Sequence, residues 1–348
     1  HDSLVAQEGL LRASTLYLPT GKIPMLPTIL SEAALSLSTD EDRPMVDFCC
    51  TFADDDALPE LDIRLVYGRL AARCTYDDVD RRIATPSDDP LDHMLGGLHC
   101  LAQRLRRYRE SRGAVLIDRD EISVRVQDGR IELTNLSKES AARRLVTEFM
   151  VLACTQAGQF AVANNIPIVY RRQAPPDDPS ATAGLTPGTR AYAFRLVRSL
   201  RRAELTTQPS LHFGLGVTGY TQVTSPIRRF QDYLAHVQFK GFLQGGHPPF
   251  DSAAILRMFG DLESRVDTLV TVEREAKRYW TLKALKSREG EIVTGEIVAV
   301  YGSRAIVYLD ETGLELPLPG AGRFELGTPV RIRVIEVSPR QDRVALAL

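Results

Sequence analysis

The chain has 348 residues, 44% of them hydrophobic and 25% charged, with a net charge of −2. This is the balance of an ordinary globular protein, long enough for one large and one small domain. It excludes a disordered chain and a uniformly basic nucleic-acid binder, so any polyanion site must come from local clustering. The five cysteines, Cys49, Cys50, Cys74, Cys100 and Cys154, form no CxxC pair, and reduced thiols in the cytoplasm are expected. No uninterrupted apolar run reaches about 18 residues and no signal peptide is visible, so no membrane span is expected. The chain opens on His1 and not on Met, as a fragment or an N-terminally shortened chain would.

Residues 13–30 carry Pro19, Pro24 and Pro27 in an apolar context, which predicts a rigid extended loop around a turn at Thr20-Gly21. Tyr17 is held in that frame, as core packing or as a stacking surface. Strands are predicted at 44–52 and 61–75, joined by the acidic stretch 53–60. Asp54, Asp55 and Asp56 read as a solvated hairpin turn and not as a metal site. Tyr76 follows. A helix over 91–112 has Leu91, Met94, Leu95, Leu98, Leu101 and Leu105 at helical spacing. Its basic end, Arg104, Arg106, Arg107, Arg109 and Arg112, suits the negative pole of the dipole or a nucleic-acid patch. Gly113 is a stop signal, and Asp128-Gly129 predicts a hairpin between strands at 122–126 and 130–134.

A long helix is predicted over 138–164 with Leu145, Phe149, Leu152 and Phe160 inward. Its small residues Ala153, Ala157 and Gly158 allow close packing. A brief strand at 166–170, a loop at 174–188 and a short basic helix at 190–203 follow. A strand begins at His212, and Gly214 and Gly216 imply a backbone that something approaches closely.

Residues 220–232, YTQVTSPIRRFQD, hold the densest chemistry. The alternation to Ser225 predicts a strand, and Ser225 before Pro226 predicts a helix N-cap with proline at the first helical position. Arg228 and Arg229 then fall in the first helical turn, where cations are disfavoured unless a polyanion is to be held there. Asp232 is placed to hold Arg228. Two surface arginines on an amphipathic helix are the alternative. This helix runs to about Leu243. Asp251 caps another that runs to about Ser287, with Leu256, Phe259, Leu262, Val266, Leu269 and Val270 inward. From Gly290, five short strands at 291–300, 303–309, 313–318, 329–336 and 342–347 predict a small closed barrel of the OB type. Tyr301, Arg304, Tyr308 and Phe324 are candidates for contact with single-stranded nucleic acid, or for core and rim.

Taken together, YLPTGKIPMLP at 17–27, LSEAALSL at 30–37, ARCTYDDV at 72–79, LVTEFM at 145–150, HFGLG at 212–216, TSPIRR within 220–232 and ERE near 273 resemble the ribonuclease II (RNB) family of 3′→5′ exoribonucleases. The resemblance covers essentially the whole chain. It implies an α+β architecture. Residues 1–287 would be an RNB domain of mixed sheet with packed helices, N-terminally incomplete, and 288–348 an S1-like OB-fold barrel. It also implies a monomer that threads single-stranded RNA by its 3′ end and releases nucleoside 5′-monophosphates processively, using Mg²⁺-activated water. By the same resemblance Arg228 contacts the scissile phosphate and Glu273 limits the rate. Tyr17, Tyr76, Glu148, Ser225 and Arg229 lie along the RNA, Tyr17 stacking on terminal bases and Tyr76 reading the sugar.

Three departures qualify this. The family's aspartate metal ligands precede the YLP motif, so they are expected upstream of this chain. Thr147-Glu148 stands where relatives carry paired acids, which weakens the expectation of strict RNA preference. Ile117 stands near the second stacking aromatic. The alternatives are a non-catalytic RNA-binding relative and a scaffold in an RNA-decay assembly.

Overall fold

The computed structural model describes residues 3–53, 59–117, 121–137, 139–321 and 323–348. The acidic turn expected at Asp54–Asp56 lies outside them. The first element is α1 (Leu4–Arg12), followed by a hairpin of β1 (Leu16–Leu18) and β2 (Gly21–Ile23), in which Tyr17 faces Lys22. A longer hairpin, β3 (Arg43–Thr51) and β4 (Glu60–Gly68), comes next. The second strand is shorter than the expected 61–75, because Thr75 caps a helix, α2 (Tyr76–Ala84). Then come α3 (Pro90–Ser111), the hairpin of β5 (Glu121–Gln127) and β6 (Arg130–Leu136), and α4 (Ala141–Ala163). Asp128 and Gly129 both have positive φ, 51° and 77°, the geometry a two-residue hairpin turn needs.

Short elements fill the middle: β7 (Tyr170–Arg172), α5 (Arg190–Ser199), β8 (Glu204–Thr206), β9 (Leu211–His212) and β10 (Val217–Thr218). The long helices α6 (Phe230–Gly245) and α7 (Ser252–Lys286) follow. The chain closes with β11 (Ile292–Tyr301), β12 (Arg304–Leu309), β13 (Glu315–Pro319), β14 (Pro329–Ser338) and β15 (Arg343–Ala347).

Among the described residues, the strands before β11 form antiparallel ribbons of two, and a single parallel bridge between Gln173 and His212 joins β7–β8 to β9–β10. The expected mixed sheet is therefore absent from this part. The reason lies in α4, which runs through the centre and takes the place of a sheet. Residues 154–158 of α4 are buried on consecutive positions, so the helix is covered nearly all round. An 18-residue window of α4 is apolar enough to suggest a membrane span, but half of it is buried within this fold. It packs on α2, α3 and β4. Cys154, Ala157 and Ala161 join Ile63 of β4 and Phe239 of α6 in one core. A second core gathers Met25, Leu26, Phe230 and Leu234 with Ile255, Phe259 and Leu262 of α7. Asp251 caps α7 through Ala254 N–H at 2.7 Å, as expected. Leu256 and Val270, however, are 61% and 54% exposed, and Met94 of α3 is 55% exposed. The inward stripe of α7 keeps the expected Phe259, Leu262, Val266 and Leu269 and begins at Ile255 in place of Leu256.

The last five strands form one antiparallel sheet in the order β13-β12-β11-β14-β15, nearly closed where β13 approaches β15. Register shifts at Ile297/Ala299 and Val334/Glu336 bend the two longest strands, as closure of a small barrel requires. Leu282 and Leu285 of α7 sit fully buried in this sheet's core. Phe194 of α5 packs on Val298 and Ala299 from outside, and Arg190 beside it pairs with Glu296 and Asp310.

Candidate functional site

The motif at 220–232 keeps its predicted alternation but not its predicted elements. Thr221, Val223 and Ser225 are buried, while Tyr220, Gln222 and Thr224 are less so. The segment is extended, yet it is no strand, because its backbone partners lie elsewhere. Thr221 N–H donates to Cys154 O of α4 at 3.2 Å, and Arg171 N–H donates to Tyr220 O at 2.8 Å. The close fit rests on Gly158, where a Cβ would stand 1.7 Å from the carbonyl oxygen of Gly219. Gly214 and Gly216 are also close-approach positions, but it is the protein's own chain that approaches. Val115 N–H donates to Gly214 O at 3.0 Å, and a Cβ on Gly216 (φ 65°) would meet Ala114 at 2.9 Å.

The helix expected from Ser225 begins five residues later, at Phe230. Arg229 is extended (φ −137°, ψ 124°) and bridges to Ser14, which defers the helix. Arg228 and Arg229 thus precede the first turn. Ser225 caps a tight turn in place of a helix, its carbonyl accepting from the N–H groups of Arg228 at 3.1 Å and Arg229 at 3.0 Å. Asp232 holds Arg229, not Arg228. Its Oδ2 accepts from Arg229 Nη2 at 2.6 Å and from Ser225 N–H at 2.9 Å. Burial raises the Asp232 carboxyl pKa against the pull of Arg229, and burial likewise raises that of the Tyr220 phenol.

Arg228 is pinned by its backbone. Its carbonyl accepts from Thr15 N–H and from Ser14 Oγ, both at 2.9 Å. Among the described residues its guanidinium has no hydrogen-bond or ion-pair partner. Two residues beyond Thr15, Tyr17 N–H donates to Glu273 Oε1 of α7 at 2.7 Å. The Tyr17 side chain is 47% exposed. Segments far apart in sequence are therefore tied to residues 14–17, Arg228 through Ser14 and Thr15 and Glu273 through Tyr17.

A second set surrounds a cavity of about 440 Å³ that includes Tyr76, Arg109, Ile117, Arg143, Thr147 and Glu148 in its wall. Tyr76 opens α2, and α2 is fixed from two sides. Arg82 pairs with Asp89 and Asp92 of the α3 start, and Asp80 accepts from Ser140 Oγ and Ala142 N–H at the start of α4. Hydrogen bonds from Ser87, with Arg82 beside it, hold the Asp92 carboxyl down to about 2. This placement sets the Arg143 guanidinium 4.4 Å over the Tyr76 ring. Glu148 is 3% exposed and bidentate with Arg109, at 2.9 and 2.6 Å. Arg109 is thus a buried partner, not one of a solvated cluster. The 3.6-residue period flags it, since it follows Ala102 and Leu105 on the buried stripe of α3. The β5–β6 hairpin links the two sets. Val126 N–H donates to Pro19 O at 2.8 Å, and Glu121, in the cavity wall, pairs with Lys277 of α7.

On the barrel, Tyr301 is 51% exposed and faces Arg304 across the β11–β12 hairpin. Tyr308 is covered by Arg190, and Phe324 packs on the barrel core, so those two are not on a free face.

The pattern of the RNB domain matches residues 1–183 and 180–245. The chain belongs to the RNB family. An uncharacterized ribonuclease of Synechocystis sp. is 30% identical over 97% of this RNB chain and 51% of its own length. Ribonuclease II, chloroplastic/mitochondrial, of Arabidopsis thaliana is 28% identical over 98% of the chain and 44% of its own. The apo form of Mycoplasma genitalium RNase R superposes with a TM-score of 0.84 at 19% identity, over 100% of this chain and 64% of that one. It has also been solved with ribose-methylated single-stranded RNA. The chain spans about half the length of the curated relatives it matches. Among the described residues, no three His, Cys, Asp or Glu side chains converge as a metal would require.

Proposed function

We propose that the chain forms the RNA-holding wall of a 3′→5′ exoribonuclease that hydrolyses single-stranded RNA processively to nucleoside 5′-monophosphates. The observation that carries this reading is Arg228. Its backbone is fixed at N–H and carbonyl, while its guanidinium has no hydrogen-bond or ion-pair partner among the described residues. A preorganised guanidinium of this kind donates charge-assisted hydrogen bonds to a phosphate and favours the charge that builds up as the diester is attacked. Tyr17, two residues beyond the Thr15 that holds the Arg228 backbone, offers a half-exposed ring for the terminal base, a contact worth about 1–3 kcal/mol. Glu273 acts through its bond to the Tyr17 backbone, which ties the stacking strand to α7.

In the second set, Tyr76 presents the ring face away from Arg143 to the terminal nucleotide. Glu148 and Arg109 support that cavity as an ion pair, and Ser225 and Arg229 support the Arg228 turn. The metal that activates water is held by groups outside the described residues, and the barrel guides RNA as an S1-like module. The domain division at 287/288 and a monomeric, cytoplasmic protein belong to the same reading; five free cysteines favour a reducing compartment.

The test is degradation of 3′-tailed, labelled poly(A) by the complete polypeptide with Mg²⁺. Arg228→Ala is expected to lower turnover by about 10²–10³ while RNA affinity changes by less than about tenfold. RNA binding with no hydrolysis by the unsubstituted protein would favour a non-catalytic relative, and unchanged turnover in Arg228→Ala would remove the role given to that residue.

A further inference from the structure

We infer that Asp232 is a positioning residue for phosphodiester hydrolysis, its buried carboxylate locking the five-residue turn that presents Arg228; this rests on the role proposed for Arg228. Asp232 is fully buried. One oxygen, Oδ2, grips both ends of the turn, Ser225 through its N–H at 2.9 Å and Arg229 through Nη2 at 2.6 Å. The Ser225 carbonyl in turn accepts from the N–H groups of Arg228 and Arg229. With Thr15 and Ser14 on the Arg228 carbonyl, the peptide units on both sides of Arg228 are fixed.

The arrangement is poor for stability alone. Asp232 Oδ1 and Arg229 Nε are buried and have no partner among the described residues. A buried ion pair with unpaired atoms is commonly no better than an apolar pair of the same size. What the pair does supply is orientation. It engages Arg229 and leaves Arg228, the adjacent cation, with no side-chain partner among the described residues. A clamp on a transferring phosphate needs placement to about 0.5 Å, and displacements near 1 Å cost about 10²-fold in rate.

The experiment measures kcat and KM on labelled oligoadenylate with Mg²⁺ for Asp232→Asn, Arg228→Ala and the double variant of the complete polypeptide, each checked by thermal melting. Asp232→Asn keeps the volume and one acceptor but removes the charge that grips both donors. It is expected to lower kcat at least tenfold with KM within about threefold. In the Arg228→Ala background it is expected to change kcat less than twofold, because its effect passes through Arg228. A merely structural role would shift the melting temperature and multiply with Arg228→Ala. A folded Asp232→Asn with kcat within twofold of the parent, or losses that multiply, would overturn the inference while leaving Arg228's role intact. An Arg228→Ala variant of normal turnover would overturn both. Should Asp232→Asn not fold, Arg229→Lys loosens the same grip from the more exposed side. It is expected to lower kcat severalfold alone and not at all beside Arg228→Ala; any other pattern removes the inference.

Discussion

His212 is a buried imidazole with no catalytic duty in this reading. It lies edge-on to Tyr220 with ring centroids 5.5 Å apart, and its Nδ1 has no partner among the described residues. Burial first, and the Arg171 charge second, push it down to about 4 from 6.5. The folded state therefore binds this proton less readily than the unfolded chain. The associated stability is complete above pH 6.5 and is lost as pH falls from 6.5 towards 4. About 2 kcal/mol disappears between pH 7 and pH 5 from this residue. His236, also lowered by burial, adds in the same direction. Urea titrations of the parent and His212→Phe at both pH values are expected to show the smaller acid loss in the variant. Equal losses would mean that His212 does not carry it. This histidine was legible only as the start of a strand, because nothing in HFGLG tells how deeply the ring is buried or that Arg171 stands by it.

At the scale of elements, α3, α4 and α7 lie where 3.6-residue spacing predicts helices, whereas the short helices α1 and α2 are not predicted. Two strand predictions fail where an apolar or alternating run has a partner other than a strand. Residues 166–169 are apolar because three of them, Ile166, Ile168 and Val169, are buried in the core, and pairing begins only at Tyr170. Residues 220–225 alternate because they lie along α4. The α4–motif contact makes a sharp prediction. Helix propensity alone favours Gly158→Ala by about 1 kcal/mol. The added methyl would, however, stand 1.7 Å from Gly219 O, a backbone atom that cannot swing away. The expected outcome is destabilisation of about 3 kcal/mol or more, seen as a lower denaturation midpoint. A midpoint at or above the parent's would contradict this packing.

For the whole molecule, the five-stranded sheet was read nearly strand for strand, because each strand is short and bounded by turn residues. Its dependence on the rest was not legible. Leu282 and Leu285 read as part of a helix belonging to the larger domain, yet both are fully buried in the sheet's core. A polypeptide of residues 288–348 therefore lacks part of its own core. It is expected to melt broadly and bind a hydrophobic dye, whereas one of residues 276–348 is expected to unfold cooperatively. Equal cooperativity in the two would show that α7 is dispensable to the barrel.

The sequence by itself determined the places of the long helices α3, α4 and α7, the Asp128-Gly129 turn, the five-strand texture after Gly290 and the family, since these depend on local spacing and composition. Only the tertiary structure decided which of two adjacent arginines has no side-chain partner among the described residues. Both carry the same charge and precede the same helix, and their difference lies in a contact 3–4 residues on and another about 214 residues back. Asp232 takes Arg229, and Ser14 with Thr15 takes the Arg228 backbone. Such long-range pairing follows from how α1, residues 25–26, α6 and α7 pack together, and no local pattern encodes it.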